Sequence, residues 1–134
     1  MFDKLFADEH GILFFVGWAV VAPIATFIAR FLKAKLGHKW YFLHRGLMGG
    51  VLSVLVIIAF ALGVAAVSQR QSPHFDGGHQ ILGLLIFILI WFQAVLGAII
   101  NRLWRPERTK VPIHDKVHWW LGRILILAGT NTLS

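Results

Sequence analysis

Four histidines stand at the entrances of four apolar stretches, and histidine is the side chain in this sequence best suited to bind a metal ion. They are His10, His44, His79 and His118. Cysteine is absent, so disulfides, thiolate metal sites and iron–sulfur clusters are excluded. Because imidazole suits iron, zinc and copper alike, the four histidines predict metal binding without naming the metal.

The stretch from His79 to Asn101 indicates how such a histidine is positioned. It carries no formal charge from Gln80 to Asn101, and it is long enough for a helix to cross a bilayer. Gly83 lies one turn after His79, and Gly97 lies five turns after it on the same helical face. This helical face therefore has an imidazole at its first residue and two glycines, which have no side chains, further along. The missing side chains leave room for a flat molecule beside the helix.

Composition places the whole chain in the membrane class. Of its 134 residues, 57% are hydrophobic and 14% are charged, whereas a soluble domain is about half apolar and a quarter charged. We predict an all-α membrane protein, a four-helix transmembrane bundle with spans at about 11–32, 43–67, 79–101 and 117–133 in one domain, 1–134. The last of these spans is at the lower limit of length for crossing a bilayer, so a C-terminal truncation is expected.

Charge is distributed unevenly between the two faces of the predicted bundle. Side A, with the N-terminus and the 68–78 loop, carries two basic and four acidic residues; side B, with loops 33–42 and 102–116, carries ten basic and two acidic residues. Short basic loops remain in the cytoplasm, so side A is predicted to be extracytoplasmic and side B cytoplasmic. Topology explains the net charge of +7, and nucleic-acid binding is not expected.

Alternating span directions sort the histidines by membrane face. His10 and His79 belong to side A, and His44 and His118 belong to side B. In a four-helix bundle with short connections these are the diagonal pairs, so each pair is expected to clamp one metal ion from both sides. Gly122 follows His118 by one turn, as a glycine follows His79, and the missing side chains favour a macrocycle over a bare ion.

Several motifs in chain order carry a family resemblance. They are His10-Gly11 with Trp18, Pro23 and Ala29-Arg30; Trp40-Tyr41-Phe42-Leu43-His44-Arg45; His79-Gln80-Ile81-Leu82-Gly83; Gln93; and His118 through Gly122-Arg123, with Asn131 beyond. On these motifs the chain resembles the cytochrome b561 family, especially the version fused behind an extracellular DOMON domain. The family usually has at least one further helix, and its DOMON-fused members have a large domain before the position of His10.

The resemblance implies two haem b groups near opposite membrane faces, ligated by His10 with His79 and by His44 with His118. It implies transmembrane electron transfer from a cytoplasmic reductant such as ascorbate to ferric iron or a partner domain on the other face. Two protein ligands leave the iron no open position, so oxygen binding is not expected.

Two arginines and three further histidines complete the candidate residues. Arg45 and Arg123 are candidate partners of the haem propionates, although Arg123 is equally compatible with reaching the side B interface. The remaining histidines are predicted to be solvated loop residues: His38, His74 and His114.

Two other classes of function stay open at this point. One is a haem-binding membrane anchor that links a soluble dehydrogenase to the quinone pool. The other is a metal-ion carrier, which is expected to have acidic residues within its spans, and the sequence has none there. A homodimer is compatible with all three hypotheses.

Overall fold

The computed structural model describes residues 1–131, apart from the side chain of Asp3, and within them every regular element is a helix. Four helical rods follow one another along the chain. Rod α1 covers residues 2–36, made of Phe2–Phe15, Val16–Val21, Ala22–Phe27, Ile28–Leu32 and Lys33–Leu36. Rod α2 covers Lys39–Gln69, made of Lys39–Arg45, Gly46–Leu52 and Ser53–Gln69. Helix α3 is Gly78–Leu103 and helix α4 is Ile113–Asn131.

Three of these rods are long and apolar enough to cross a membrane: Lys4–Leu36, Lys39–Gln69 and Gly78–Leu103. Their large apolar side chains are widely exposed, as Phe92 is at 53%, which suits contact with lipid chains rather than water. Together with the composition, this makes the chain an all-helical integral membrane protein. Helix α4 is not among the three, and the end of its predicted span, residues 132–133, lies outside the described residues.

Rods α1 and α2 contain π-helical segments at Val16–Val21, Ile28–Leu32 and Gly46–Leu52. The first segment ends just before Pro23, whose missing N–H and bulky ring disturb ordinary α-helical bonding. There the Ala22 amide donates to the Gly17 carbonyl, five residues back. The third segment ends just before Ser53, whose hydroxyl donates to the Met48 carbonyl at 3.2 Å. A π segment absorbs such a mismatch without breaking the rod.

The connections are shorter than predicted. The expected side B loop 33–42 is wrong in extent, because Lys33–Leu36 and Lys39–Arg45 are helical and only residues 37–38 separate them. Lysine, alanine and leucine favour helix, and the chain turns at Gly37, whose φ of +56° suits a residue without a side chain. The other connections are residues 70–77 and 104–112, so the expected 102–116 loop is also shorter.

The core lies where α1 meets the other rods. Gly17 allows α1 to approach α2 closely, since a methyl group there would come within 2.9 Å of Leu52 Cδ1. Trp18 is 2% exposed, and its Nε1–H donates to the carbonyl of Leu125 on α4 at 2.9 Å. Between α2 and α3, the rings of Phe60 and Phe87 stack with centroids 4.3 Å apart. These contacts join all four rods in one bundle of helices.

Candidate functional site

His10 and His79 lie side by side at the end of the bundle that carries the N-terminus. His10 belongs to α1 and His79 to the first turn of α3, and their ring centroids are 6.0 Å apart with the rings nearly perpendicular. His10 Nδ1 lies 2.6 Å from the carbonyl oxygen of Ala59 on α2. A carbonyl oxygen only accepts, so Nδ1 carries the proton and Nε2 keeps a free lone pair. The structure thus holds the His10 imidazole in the tautomer that leaves Nε2 available.

A glycine on α2 creates the space for this imidazole. A methyl group at Gly63 would lie 3.0 Å from His10 Nδ1, tighter than an ordinary van der Waals contact. Gly63 follows Ala59 by one turn, so both face α1. Neither residue was predicted as part of the site. Ala59 acts through its backbone carbonyl, which leaves no trace in the side-chain pattern, and Gly63 is one of many glycines in the spans.

His44 and His118 occupy the other end of the bundle. His44 Nδ1 lies 2.9 Å from the carbonyl oxygen of Ala25 on α1, so its Nε2 is also the nitrogen with a free lone pair. His118 on α4 lies against α3 at Gly97, where a methyl group would come within 3.0 Å of its Cε1. Its Nδ1 is buried without a hydrogen-bond partner.

The two pairs are separated by most of the thickness of a membrane. His10 and the Ala25 carbonyl that His44 contacts both lie on α1, and His79 and Gly97 both lie on α3. At the rise of an α-helix, these two intervals along the rods span roughly 22 Å and 27 Å. The hydrocarbon core of a bilayer is about 30 Å thick, so both intervals are comparable with its thickness.

The two glycines predicted to border a cofactor have different surroundings. Gly83 has open space beside it, with nothing within 4 Å of the place a methyl group would take. Gly122 instead faces Gln93, whose Nε2 would lie 2.9 Å from such a methyl group and donates to the His118 carbonyl at 2.7 Å. Gly122 therefore accommodates a carboxamide from α3, and Gly97 is the glycine that borders the His118 imidazole.

The two candidate arginines also differ in position. Arg45 lines an open groove of about 410 Å³ on α2, together with Phe42, Gly46, Gly49 and Gly50. Arg123 is exposed on α4, and its guanidinium carbon lies 4.9 Å from the centre of the Trp120 ring, one turn towards side B. Arg45 thus borders a groove on an exposed face of α2, whereas His44 on the same rod faces α1. The guanidinium of Arg123 stacks on an exposed aromatic ring.

One of the three remaining histidines is not a loop residue. His114 lies in the first turn of α4, half-buried, with Nε2 3.3 Å from Oδ1 of the buried Asp115. Asp115 also accepts two hydrogen bonds from Arg108, at 2.7 and 3.4 Å. This ion pair fastens the 104–112 connection to the start of α4, so the predicted solvated position of His114 is wrong. His74 is exposed in the 70–77 connection, where it bonds Ser68 at 3.2 Å.

The fold and the histidine positions define an all-helical integral membrane protein with two histidines near each end of its bundle. Three curated relatives are similar to it: an Arabidopsis thaliana cytochrome b561 and DOMON domain-containing protein, 27% identical over 125 residues; an Arabidopsis thaliana cytochrome b561 domain-containing protein, 27% identical over 128 residues; and Mus musculus ferric-chelate reductase 1, 28% identical over 130 residues.

Each comparison covers 90% of this chain, which spans 29%, 46% and 21% of the length of the respective relatives. The resemblance to the cytochrome b561 family is confirmed. No protein-family model matches the chain, and neither does any solved structure.

Proposed function

We propose that residues 1–134 form a single cytochrome b561-type domain that transfers electrons across the membrane through two haem b groups. His10 and His79 would hold the side A haem, and His44 and His118 the side B haem. The observation that carries the proposal is the His10–His79 pair, which joins residues far apart in sequence at 6.0 Å between ring centroids.

This separation fits two imidazoles that clamp one ion. Imidazole nitrogen–metal bonds are about 2 Å long, and adding the ring radii puts the centroids of two opposed ligands roughly 6 Å apart. The hydrogen bonds of His10 to Ala59 and of His44 to Ala25 add a second feature of metal-ligating histidines, whose other ring nitrogen usually donates to a carbonyl or a carboxylate.

Space for a macrocycle is available beside the side A pair. The open position at Gly83 lies one turn from His79. Arg45, the residue directly after His44, is the first candidate partner for a propionate. Arg123, stacked on an exposed ring, is the weaker one.

A fourth membrane crossing is part of this proposal, because α4 carries His118. Two contacts support α4 as a member of the bundle. Trp18 donates a hydrogen bond to the Leu125 carbonyl, and the His118 imidazole packs against Gly97. Bis-histidine haem supplies one-electron exchange without a free coordination position. The chain's own contribution would be to fix four imidazoles on rigid helices. The spacing of the two pairs would let electrons pass from one site to the other across the bundle.

The first prediction is a content of two haem b per chain in the purified protein. Each histidine pair can ligate one iron, and the sequence offers no thiolate that would favour another cofactor. A reduced-minus-oxidised visible spectrum together with a pyridine haemochrome assay gives the count. A colourless protein rejects the proposed function, and saturation at one haem rejects the two-site arrangement.

The second prediction concerns orientation: side A, with residues 70–77, faces outward or into a vesicle lumen. The basic residues concentrate in and near the connections at 37–38 and 104–112, and such a bias keeps a loop in the cytoplasm. The sequence has no cysteine, so a cysteine introduced at Ser72 should react with an impermeant reagent on intact cells, and one at Thr109 should not. The reverse pattern of labelling would overturn the orientation.

The donor and the acceptor follow from this orientation. Lysines near side B, including Lys39 and Lys110, suit an anionic reductant such as ascorbate, and the outward acceptor would be ferric iron or a DOMON-type partner domain. The mouse relative named as a ferric-chelate reductase supports iron as the acceptor. Stable co-purification with a soluble dehydrogenase, combined with quinone reduction, would favour the anchor-subunit hypothesis instead.

A further inference from the structure

The carboxamide of Gln93 lies between helices α3 and α4, and only one of its two polar atoms has a hydrogen-bond partner. Its Nε2 donates to the backbone carbonyl of His118 at 2.7 Å, while its Oε1 is buried without a hydrogen-bond partner. Gly122 provides the room for this approach, since a methyl group there would come within 2.9 Å of Gln93 Nε2. An unpartnered amide oxygen in an apolar bundle is unfavourable, because no water is at hand to replace the missing bond.

His118 has the complementary deficiency. Its Nδ1 is buried and unpartnered, whereas the Nδ1 atoms of His10 and His44 each bond a carbonyl on a neighbouring rod. The imidazole is held on α3 by its contact with Gly97, one turn beyond Gln93. One unpartnered acceptor and one ring nitrogen able to donate therefore belong to two residues that are already hydrogen-bonded to each other.

Buried polar atoms without a partner are few in the part of the chain that the structure describes. Besides these two atoms the side chains supply one more, His114 Nε2, which lies 3.3 Å from Asp115 Oδ1. Buried polar groups are paired in the great majority of cases. A hydrogen bond from His118 Nδ1–H to Gln93 Oε1 would satisfy both remaining atoms at once.

We propose that Gln93 is a positioning residue for His118, whose Nδ1–H it accepts at Oε1 while its Nε2 keeps the bond to the His118 carbonyl. The inference rests on the proposed function, which it deepens. The bond assigns the proton to Nδ1 and leaves the Nε2 lone pair for iron, as the Ala59 and Ala25 carbonyls do for the other two histidines. An acceptor on the far nitrogen also makes an imidazole a more basic ligand, so Gln93 tunes the side B haem alone.

The test uses residues 1–134 and two substitutions at Gln93. Gln93→Leu removes the acceptor, so the side B haem should be retained about ten- to hundredfold less tightly and its midpoint potential should rise. Gln93→Glu keeps an acceptor oxygen for Nδ1–H but loses the donor to the His118 carbonyl, so it should restore the haem in part and place its potential at or below that of the wild type. Haem retention and redox titration of each haem are the measurements. Asn101→Leu, an exposed polar-to-apolar change on the same helix, is the matched control.

The outcomes separate this inference from the function on which it rests. A wild-type chain without haem rejects the proposed function and this inference together. A wild-type chain with two haems and an unchanged Gln93→Leu variant rejects this inference alone. A purely structural role for Gln93 predicts that both haems shift together or that Gln93→Glu restores nothing, and either result overturns the inference. If Gln93→Leu fails to assemble, Gln93→Met replaces it as the variant that lacks an acceptor.

Discussion

His79→Ala should remove the side A haem and leave the side B haem spectrum intact, and His118→Ala should do the reverse. Each substitution is expected to lower the haem content from two per chain to one. In the proposed arrangement both histidines of a pair would hold one haem iron, and alanine also leaves a void where the ring was. Haem per chain and the reduced-minus-oxidised spectrum of each variant are the measurements.

The partner histidines should follow the same two classes. His10→Ala is expected to resemble His79→Ala, because the two rings lie 6.0 Å apart, and His44→Ala is expected to resemble His118→Ala. The matched control is His74→Ala, since His74 is exposed in the side A connection. If the variants at His10 and His44 lose the same haem, the pairing proposed here is wrong.

Electron transfer in sealed vesicles gives the same division a functional readout. A chain without the side A haem should still be reduced by a donor on side B but should no longer pass electrons to an acceptor on side A. A chain without the side B haem should fail at the first step and stay oxidised when the donor is confined to side B. Reduction of the His118→Ala variant by that donor at the wild-type rate would contradict the proposed order of the two haems.

Trp18→Ala should destabilise the bundle more than any substitution of a lipid-facing aromatic residue, by about 3 kcal/mol. Trp18 is 2% exposed, stacks on Phe14 with centroids 5.2 Å apart, and donates to the Leu125 carbonyl. The expected loss is at the lower end for a buried tryptophan, because helices in lipid gain packing and hydrogen bonds but little from the hydrophobic effect. Denaturation in a defined detergent, followed by helix content, measures it.

Two further variants separate the contributions of Trp18. Trp18→Phe keeps a ring against Phe14 but loses the hydrogen bond to α4, so a smaller loss of about 1 kcal/mol is expected. Trp119→Ala is the matched control, since Trp119 is 47% exposed and its truncation should change stability by no more than about 0.5 kcal/mol. Equal effects of Trp18→Ala and Trp119→Ala would show that Trp18 does not join α4 to the rest of the bundle.

The sequence by itself determined the class of protein and the approximate limits of its helices. An apolar composition with long uncharged stretches is sufficient for this, since the bilayer requires every crossing segment to satisfy its own backbone. The predicted spans 11–32, 43–67 and 79–101 lie inside the observed rods α1, α2 and α3. Their ends were less accurate: residues 33–36 and 39–42 are helical, because polar residues outside the hydrocarbon core still form helix, and the chain turns at Gly37.

The tertiary structure decided what surrounds each candidate residue. The sequence placed His10 and His118 at span entrances. Only the packing of the rods puts the Ala59 carbonyl on His10, brings Gln93 to the His118 carbonyl and leaves His118 Nδ1 buried without a partner. It likewise assigns Gly122 to a carboxamide and Gly97 to the imidazole. Helical periodicity fixes which residues share a face, whereas the distance and rotation between two helices depend on small residues far apart in the chain, and those set the contacts of the site.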